Sequence, residues 1–380
     1  MPAIDIPIPR FDSETVRIAF EIERTRSELR VGTTPASVFF ELHELFAILT
    51  SIVSARIEGN HTSVRDAIVE IEEHQREDSR LSDSVSEILN IRKAMRFVDE
   101  LPAGQDLSHS VVRELHKITV KDLHREGDPT PGAYRSGDVS ITGSGHRPPG
   151  HYDLMPSMDD LLDFINERRE AHLQLLQVAV AHHRFLWIHP FGNGNGRVSR
   201  LLSYWMMRRN GFVSPNSFRT INPTAVFGGE RDQYYDRLAA ADDLSETGVQ
   251  AWCDYFLQGL LRDLERVRTL QDFAFVRDEL VAPALTRMVA VGVLAQSESG
   301  VLLRSLERES IKAGDVSDLL PGTPSQRSIA LRSLIERGFL APVAAGKRSY
   351  RLTFAVNEMT DFLVARLDRL NLLPSLLRDN

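Results

Sequence analysis

The chain has a single cysteine, Cys253, among its 380 residues. One thiol excludes a disulfide within the chain and any metal or iron–sulfur site built on several cysteines, and it favours a reducing compartment. The longest weakly charged stretches, 31–40 and 281–296, are too short to span a bilayer or contain Arg287. The N-terminal segment lacks the basic and apolar regions of a secretory signal. We therefore expect a cytoplasmic protein that does not enter a membrane.

An excess of basic charge is also absent, since 45 Lys and Arg residues stand against 53 Asp and Glu residues, which gives a net charge of −8. This balance argues against non-specific coating of nucleic acid by the whole chain, although it is compatible with a local basic patch. The composition, 42% apolar and 26% charged, is typical of folded soluble proteins. The length exceeds one ordinary core and indicates two or three domains.

Apolar residues recur at helical spacing along most of the chain, which predicts a mainly α fold. Pro283 is expected to kink or split the last and longest helical segment. The stretch 138–150 breaks the rhythm with a short alternating pattern and a Gly/Pro-rich turn, which is typical of a hairpin or flap. The chain changes character near Val291, where we place a domain boundary. The helical segments are 13–30, 36–57, 84–100, 110–124, 157–169, 173–188, 197–209 and 248–290.

One predicted helix is followed directly, at residues 189–200, by the sequence HPFGNGNGRVSR. Gly194 and Gly196 can adopt backbone angles closed to other residues, so this loop can aim several N–H groups at one anion in front of the next helix. Arg197 and Arg200 lie three residues apart on that helix, so both guanidinium groups point toward one pocket, as a polyphosphate requires. His189 is suited to removing a proton from a hydroxyl near neutral pH.

This segment resembles the signature of the Fic (filamentation induced by cAMP) family, H-P-F-x-(D/E)-G-N-G-(R/K)-x-x-R. The resemblance implies transfer of a nucleoside monophosphate, usually AMP from ATP, onto a Ser, Thr or Tyr hydroxyl of a target protein. It makes His189 the catalytic base and Phe191 the anchor of the loop. It assigns the α and β phosphates to residues 194–196, the β phosphate region also to Arg197, and the γ phosphate to Arg200. The matching positions are His189, Pro190, Phe191, Gly194, Asn195, Gly196, Arg197 and Arg200.

Asn193 departs from the family pattern, because Asp or Glu normally stands here and holds the Mg²⁺ that bridges the nucleotide phosphates. A neutral amide oxygen can still ligate Mg²⁺ or hold its water shell, but a hard cation gains less from it than from a carboxylate. We therefore expect ATP as the substrate together with Mg²⁺, and Asn193 as the metal ligand. The departure is also compatible with a different nucleotide, another reaction or weak activity.

A second resemblance lies upstream, where SARIEG at 54–59 is similar to the inhibitory motif (S/T)-x-x-x-E-(G/N) of regulated Fic proteins. In this hypothesis an inhibitory helix at about 36–58 places the Glu58 carboxylate on Arg200, where it occupies the γ-phosphate site. Ser54 would contact the motif loop and support the helix, and Gly59 would end it. The alternative is that Glu58 simply ends a surface helix capped by Gly59.

Two further features follow the order of the family. Residues 138–150 lie where Fic proteins carry a flap that pairs with the backbone of the target protein and aligns its hydroxyl with the α phosphate. The alternative is an ordinary surface hairpin. The sequence GAYR at 132–135 precedes this flap and also resembles the family. Tyr234 and Tyr235 occupy the place of an aromatic pair beside the nucleoside, and since one of two successive helix residues usually faces the core, we assign Tyr235 to the base pocket.

The C-terminal segment resembles the winged helix-turn-helix domain that often follows Fic cores. An amphipathic helix at 325–338 precedes the sequence FLAPVAAGKRSYRLT, which predicts a β wing. Between residues 321 and 355, six basic residues and one acidic residue give a local charge of +5, which suits a DNA backbone. The alternative is a winged helix used for dimer or partner contacts. The charged residues are Arg327, Arg332, Arg337, Lys347, Arg348, Arg351 and Glu336.

These interpretations divide the chain into an N-terminal helical region (1–105), a Fic catalytic core (106–290) and a winged helix-turn-helix domain (291–380). The resulting hypothesis is an autoinhibited protein adenylyltransferase. One rival is a nucleotide-sensing DNA-binding regulator with weak or no transferase activity. Another is an enzyme that removes AMP, with Glu58 aligning a water molecule. The sequence is compatible with a homo-oligomer and leaves the target protein open.

Overall fold

The computed structural model describes residues 2–28, 32–77, 79–102, 104–141, 143–212 and 231–377. Within them the chain is mainly α-helical, as the sequence predicts. The helices are α1 (Glu14–Glu28), α2 (Ala36–Ile57), α3 (Val64–Glu77), α4 (Asp83–Glu100), α5 (His109–Thr119), α6 (His151–Asn166), α7 (Gln174–Ile188), α8 (Asn195–Arg209), α9 (Arg231–Ala241), α10 (Glu246–Thr269), α11 (Phe273–Phe275), α12 (Ala282–Ala290), α13 (Gln296–Glu307), α14 (Pro324–Glu336) and α15 (Met359–Arg369). A π-helical segment, Val276–Val281, joins α11 to α12. The strands β1 (Leu340–Pro342) and β2 (Tyr350–Leu352) pair in antiparallel fashion.

The longest predicted helical segment is divided, but not at Pro283. The division lies between α10 and α11, because the carbonyls of Leu270 and Gln271 accept hydrogen bonds from residues 33–34. Asp272 then caps α11 by accepting a hydrogen bond from a first-turn N–H group. Pro283 is the second residue of α12, where the π-helical segment gives way to α-helix. The chain is therefore not split into separate helices at Pro283, although the helix changes from π to α geometry at Ala282, the residue before it. The alternative prediction, a kink at Pro283, stays a prediction.

The predicted flap contains no strand in its described residues, 138–141 and 143–150. Its alternating apolar pattern is only two residues long, and a strand needs a partner to complete its hydrogen bonds. The segment is instead a loop with a turn closed by the Ser144 N–H, which donates to the Ile141 carbonyl at 3.1 Å. The prediction of a hairpin is corrected to a loop in this described part.

Five helices surround the loop between α7 and α8. α8 packs against α7, α5, α4 and α2. Phe185 and Phe191 are fully buried on either side of the end of α7. Trp252 of α10 donates from Nε1 to the Ala179 carbonyl of α7 at 2.7 Å. Buried aromatic rings with satisfied polar groups make a rigid base for this loop.

α2 is an apolar helix that packs against α8 after this loop and also contacts the C-terminal region of the chain. Among the described helices it alone has the length and composition to cross a membrane, but 67% of its most apolar stretch is buried inside the protein. Near its start, Glu41 pairs with Arg351 of β2 at 3.2 Å, and that guanidinium also lies over the Phe40 ring. At its end, Arg56 donates to the Leu376 carbonyl. The C-terminal region therefore holds α2 at both ends.

The C-terminal region has the helix (α14) and then the paired strands (β1 and β2) that the sequence predicts, and α15, which the sequence analysis did not predict, follows them. Its assignment to the winged helix-turn-helix class stays a prediction. The three predicted domains also stay a prediction. Buried side chains from all three ranges belong to one continuous apolar core.

Candidate functional site

His189 stands directly after α7, with a left-handed backbone of φ 52° and ψ 61°. Residues other than glycine rarely adopt this conformation, and here it ends α7. Burial lowers the pKa of the imidazole from 6.5 to about 4. The ring is therefore neutral at physiological pH and can accept a proton from a hydroxyl.

Asn195 braces the loop that follows. Its Oδ1 accepts a hydrogen bond from the Phe191 N–H at 3.0 Å, and its Nδ2 donates to the Phe191 carbonyl at 2.9 Å. The Phe191 ring stacks on His116 of α5, with ring centroids 3.8 Å apart. Phe191 thus anchors the loop in the core, whereas the predicted nucleotide-binding Asn195 directs its side chain to the loop backbone.

Gly194 and Gly196 contribute in different ways. Gly194 has a φ of 75° and precedes α8, and its N–H donates to Asn193 Oδ1 at 2.6 Å. Gly196 lies in the first turn of α8, where N–H groups have no intrahelical acceptor and the helix dipole is positive. A Cβ atom at Gly196 would lie only 2.2 Å from Glu58 Oε1. The Glu58 carboxylate thus lies against Gly196 at the positive end of α8.

Arg200 is held by the last turn of α2 through three hydrogen bonds. Its Nη2 donates to Glu58 Oε1 at 2.6 Å and to the Ser54 carbonyl at 3.0 Å, and its Nε donates to Ser54 Oγ at 2.8 Å. Burial opposes ionisation of Glu58, but attraction to Arg200, and then to Arg197, lowers its pKa below the ordinary value. The structure therefore brings Ser54, a charged Glu58 and Arg200 together, with Ser54 on the arginine.

α2 ends as the sequence predicts. Glu58 is its C-terminal capping residue, and Gly59 follows with a φ of 93°, which favours glycine. The last carbonyls of a helix have no intrahelical donor. The Ile57 carbonyl is satisfied by Arg231 of α9, whose Nε donates to it at 2.7 Å.

Arg197 has acidic partners that the sequence did not predict. Its Nη1 donates to Glu87 Oε1 of α4 at 3.1 Å, and its Nη2 donates to the Glu126 carbonyl at 2.8 Å. The side chains of Arg197 and Glu87 are 0% and 3% exposed. Burial raises the pKa of Glu87, and Arg197 opposes this change. Asn60, next after Gly59, donates to the other Glu87 oxygen at 2.9 Å. Glu87 thus connects the end of α2 to Arg197.

Tyr234 and Tyr235 lie side by side on α9, with ring centroids 5.1 Å apart, but they differ in burial. Tyr234 is 1% exposed, and its hydroxyl lies 2.9 Å from His182 Nε2 in the core. Tyr235 is 39% exposed, and its hydroxyl donates to the Ile57 carbonyl at 3.4 Å. Burial and then the Glu58 charge raise the pKa of Tyr235 to about 12. Tyr235 therefore lies beside the end of α2, and its assignment to the base pocket stays a prediction.

Asn193 does not fit the predicted role of metal ligand. Its Nδ2 donates to the Gly127 carbonyl at 3.1 Å, and its Oδ1 accepts from the Gly194 N–H. The same Oδ1 lies 3.5 Å from Nη2 of Arg197, whose positive charge would repel a cation. The nearby Asp128 carboxylate accepts the Asn193 N–H at 3.0 Å. In the part of the chain that the structure describes, no group of three or more His, Cys, Asp or Glu side chains is placed to hold a metal ion.

Sequence reasoning missed the acidic partners of Arg197. Glu87 and Glu126 lie 110 and 71 residues before Arg197 and belong to no motif. Arg135 also contacts the loop, through a hydrogen bond from its Nε to the His189 carbonyl at 2.9 Å. For Arg135 a signal existed, because it ends the GAYR segment.

Comparisons with known proteins indicate which family this chain is similar to. Residues 106–207 match the Fic/DOC family. The protein adenylyltransferase Fic of Aedes aegypti is 30% identical over 273 residues, which cover 69% of this chain and 48% of that protein. The protein of the same name from Drosophila willistoni is 31% identical over 199 residues, which cover 50% of this chain and 36% of that protein. The chain thus spans between about a third and a half of the length of these curated relatives.

The fold has a similar relative among solved structures. The crystal structure of a Fic family protein from Desulfovibrio desulfuricans superposes with a TM-score of 0.57 over 92% of this chain and 98% of that chain. The sequence identity is 19%, so this likeness concerns the fold.

Proposed function

Since the chain belongs to the Fic/DOC family through its residues 106–207, we propose that it is a protein adenylyltransferase, which transfers AMP from ATP onto a hydroxyl side chain of a target protein. The observation that carries the proposal is the pairing, across one short loop, of a neutral His189 with the anion site at the start of α8. The names of the relatives support the same reaction. They do not favour the alternative of a nucleotide-sensing regulator.

In the proposed reaction, the hydroxyl oxygen of the target attacks the α phosphorus of ATP. A new P–O bond forms to the target, the bond from the α phosphorus to the oxygen that bridges to the β phosphorus breaks, and pyrophosphate leaves. His189, which is unprotonated at neutral pH, takes the hydroxyl proton on a ring nitrogen. The N–H groups around Gly196 stabilise the phosphate charge at the start of α8.

The two arginines have separate proposed roles. Arg200 binds the γ phosphate once Glu58 has left it, and Arg197 acts on the β phosphate through its charge, because Glu87 and Glu126 hold its Nη groups. A phosphate oxygen and the Glu58 carboxylate cannot occupy the same space beside Gly196. The described conformation is therefore the proposed inhibited form, and Tyr235 flanks the proposed nucleoside pocket.

The family implies Mg²⁺ as a companion of ATP, where it would neutralise phosphate charge. The polar atoms of Asn193 are engaged with Gly127, Gly194 and Arg197, so this side chain does not fit as a direct ligand. No step of the proposed reaction is assigned to the metal.

The proposed docking segment for the target is the loop at 138–150, which borders the loop at His189. His146 within it lies 2.7 Å from the Trp187 carbonyl at the end of α7, measured from its Nε2 atom. A target backbone that binds along this loop would bring a hydroxyl toward His189.

We propose that the C-terminal region contacts DNA through fewer basic residues than its local charge of +5 suggests, because some of them lie beside acidic side chains. Arg351 pairs with Glu41, and Arg337 lies 3.6 Å from Glu298. Fluorescence anisotropy with a labelled duplex tests the contact. We expect binding that weakens with salt and with alanine at the exposed positions, and binding unchanged by those substitutions would contradict it. The basic residues that stay exposed are Arg332, Lys347 and Arg348.

Intact-mass spectrometry after incubation with ATP tests the proposed reaction. The Glu58→Gly variant should gain the mass of one or more adenylyl groups, on its own chain or on a protein added from a lysate. The Glu58→Gly variant that also carries His189→Ala is the matched control and should gain none. Equal adenylyl gain by both variants would contradict the proposed role of His189, and no gain by either would contradict the proposed reaction.

A further inference from the structure

Arg135 is a buried arginine whose partners are main-chain carbonyls. It is 8% exposed and ends the GAYR segment. In the described ranges, all of its side-chain hydrogen bonds go to carbonyl oxygens. Removing a guanidinium from water is costly, so a buried arginine with several well-placed acceptors is a specific arrangement.

One group of these carbonyls belongs to the end of α7. Nε of Arg135 donates to the His189 carbonyl at 2.9 Å, and Nη2 donates to the Ile188 carbonyl at 3.4 Å. The main-chain N–H of Arg135 donates to the Pro190 carbonyl at 2.9 Å. The last carbonyls of a helix attract a cation. Arg135 thus holds three successive residues around the left-handed backbone of His189.

The other carbonyls belong to the residue before the docking segment and to a residue near its end. Nη1 of Arg135 donates to the Gly137 carbonyl at 2.8 Å, and Nη2 donates to the Pro149 carbonyl. A planar guanidinium fixes the directions of its donors. One side chain therefore fixes the residue before the docking segment and a residue near its end relative to His189.

We propose that Arg135 is a positioning residue, which sets the distance between a target hydroxyl docked on the 138–150 segment and the imidazole of His189. This inference rests on the proposed function, because it gives the segment the role of target docking. A displacement of about 1 Å between reacting groups can lower a rate by roughly 100-fold. Loss of Arg135 should therefore lower the transfer rate while leaving ATP binding intact.

The charge on Arg135 provides a second readout. Burial has the largest effect on the pKa of His189 and lowers it. The charges of Arg135 and His146 lower this pKa further, and the charge of Glu58 raises it. Arg135→Met removes a positive charge and should move the acid limb of the pH–rate profile to higher pH. Arg135→Lys keeps the charge and should leave that limb in place.

Hydrogen exchange measured by mass spectrometry tests the positioning without any need for activity. Arg135→Met should speed exchange in peptides that cover 136–150 and 186–192, with core peptides of α10 unchanged. Arg135→Lys should show a smaller effect, since an ammonium cannot serve four carbonyls in the same geometry. Arg113→Met is the matched control, because Arg113 also donates to a carbonyl, that of Gly132 at 2.6 Å. It should leave these peptides as in wild type.

Labelling with ATP in the Glu58→Gly background then tests the consequence. Arg135→Met should lower the labelling rate by roughly 10- to 100-fold with an unchanged Kd for ATP. Arg135→Lys should restore part of the rate. Wild-type exchange at 136–150 in Arg135→Met would overturn the inference, as would faster exchange of the α10 peptides to the same degree. Labelling that persists in the variant with His189→Ala would instead overturn the proposed function, whatever the exchange data show.

Discussion

Replacing Glu58 by glycine tests the inhibited state directly. The change removes the carboxylate that accepts a hydrogen bond from Arg200 at 2.6 Å. It also clears the space beside Gly196, where the carboxylate oxygen lies too close for any Cβ atom. Glu58 caps α2 and stands outside the helix proper, so glycine here should cost little helix stability.

The expected gain follows from the interaction that is lost. Arg200 is 1% exposed and the Glu58 side chain 22% exposed, so solvent screens the pair only weakly. A hydrogen bond to a charged group in such a setting contributes roughly 1.5 to 3 kcal/mol. Removing it should raise the population that binds ATP productively, and with it the labelling rate, by about 10- to 150-fold.

The assay compares self-labelling of wild type and Glu58→Gly with radioactive ATP, with circular dichroism as a check of folding. Glu44→Gln is the control, because Glu44 lies on the same helix but pairs with Arg92 at 2.8 Å. It should label as wild type does. Adding Arg200→Ala to Glu58→Gly should erase the gain, since the γ phosphate then lacks its partner. Equal labelling by folded wild type and Glu58→Gly would refute inhibition by Glu58.

Two further predictions concern stability. The pKa of His189, about 4 in the folded protein, lies below its ordinary value of 6.5. The unfolded chain therefore takes up a proton first as the pH falls, and the stability from this residue, complete above pH 6.5, is lost between pH 6.5 and 4. Urea unfolding at pH 6.5 and at pH 4 measures this loss. Between these two pH values the free energy of unfolding of His189→Gln should fall by up to about 3 kcal/mol less than that of wild type. Equal falls for the two proteins would contradict the neutral imidazole. Glu87→Gln should lower the free energy of unfolding by about 3 kcal/mol, because Arg197 is then buried without its counter-charge. Glu114→Gln, in the exposed pair with Lys117, should change it by less than about 0.5 kcal/mol, and a similarly small change for Glu87→Gln would mean that the buried pair adds nothing.

The parts of the site that lie within short motifs could be predicted from the sequence. His189, Gly196 and Arg200 belong to one segment, and a helix after a glycine loop fixes their relative positions. Glu58 lies 142 residues from Arg200, yet its motif named it as the partner. The sequence also contains the signal for α3, because its buried residues repeat at helical spacing. None of the predicted helical segments includes this helix. These residues are Val64, Ala67, Ile68 and Ile71.

The remaining features depend on contacts that spacing does not reveal. Glu87 sits on an amphipathic helix like many surface acids, and only packing of α4 on α8 buries it against Arg197. The break at Leu270 depends on hydrogen bonds from residues 33–34, which are distant in the chain. The family pattern made Asn193 a weakened metal ligand. The sequence could not show that its side chain binds the Gly127 carbonyl instead, because that residue is distant in the chain. In each case tertiary contacts decide what a local pattern leaves undetermined.

The proposed function depends above all on one step, in which His189 drives transfer of the α-phosphate portion of ATP to a hydroxyl. The most direct measurement compares ATP labelled at the α phosphate with ATP labelled at the γ phosphate, using Glu58→Gly and its His189→Ala counterpart. We predict that Glu58→Gly incorporates the α label and not the γ label, and that His189→Ala abolishes incorporation while calorimetry still detects ATP binding. Incorporation of the γ label, or α labelling that survives His189→Ala, would contradict this step.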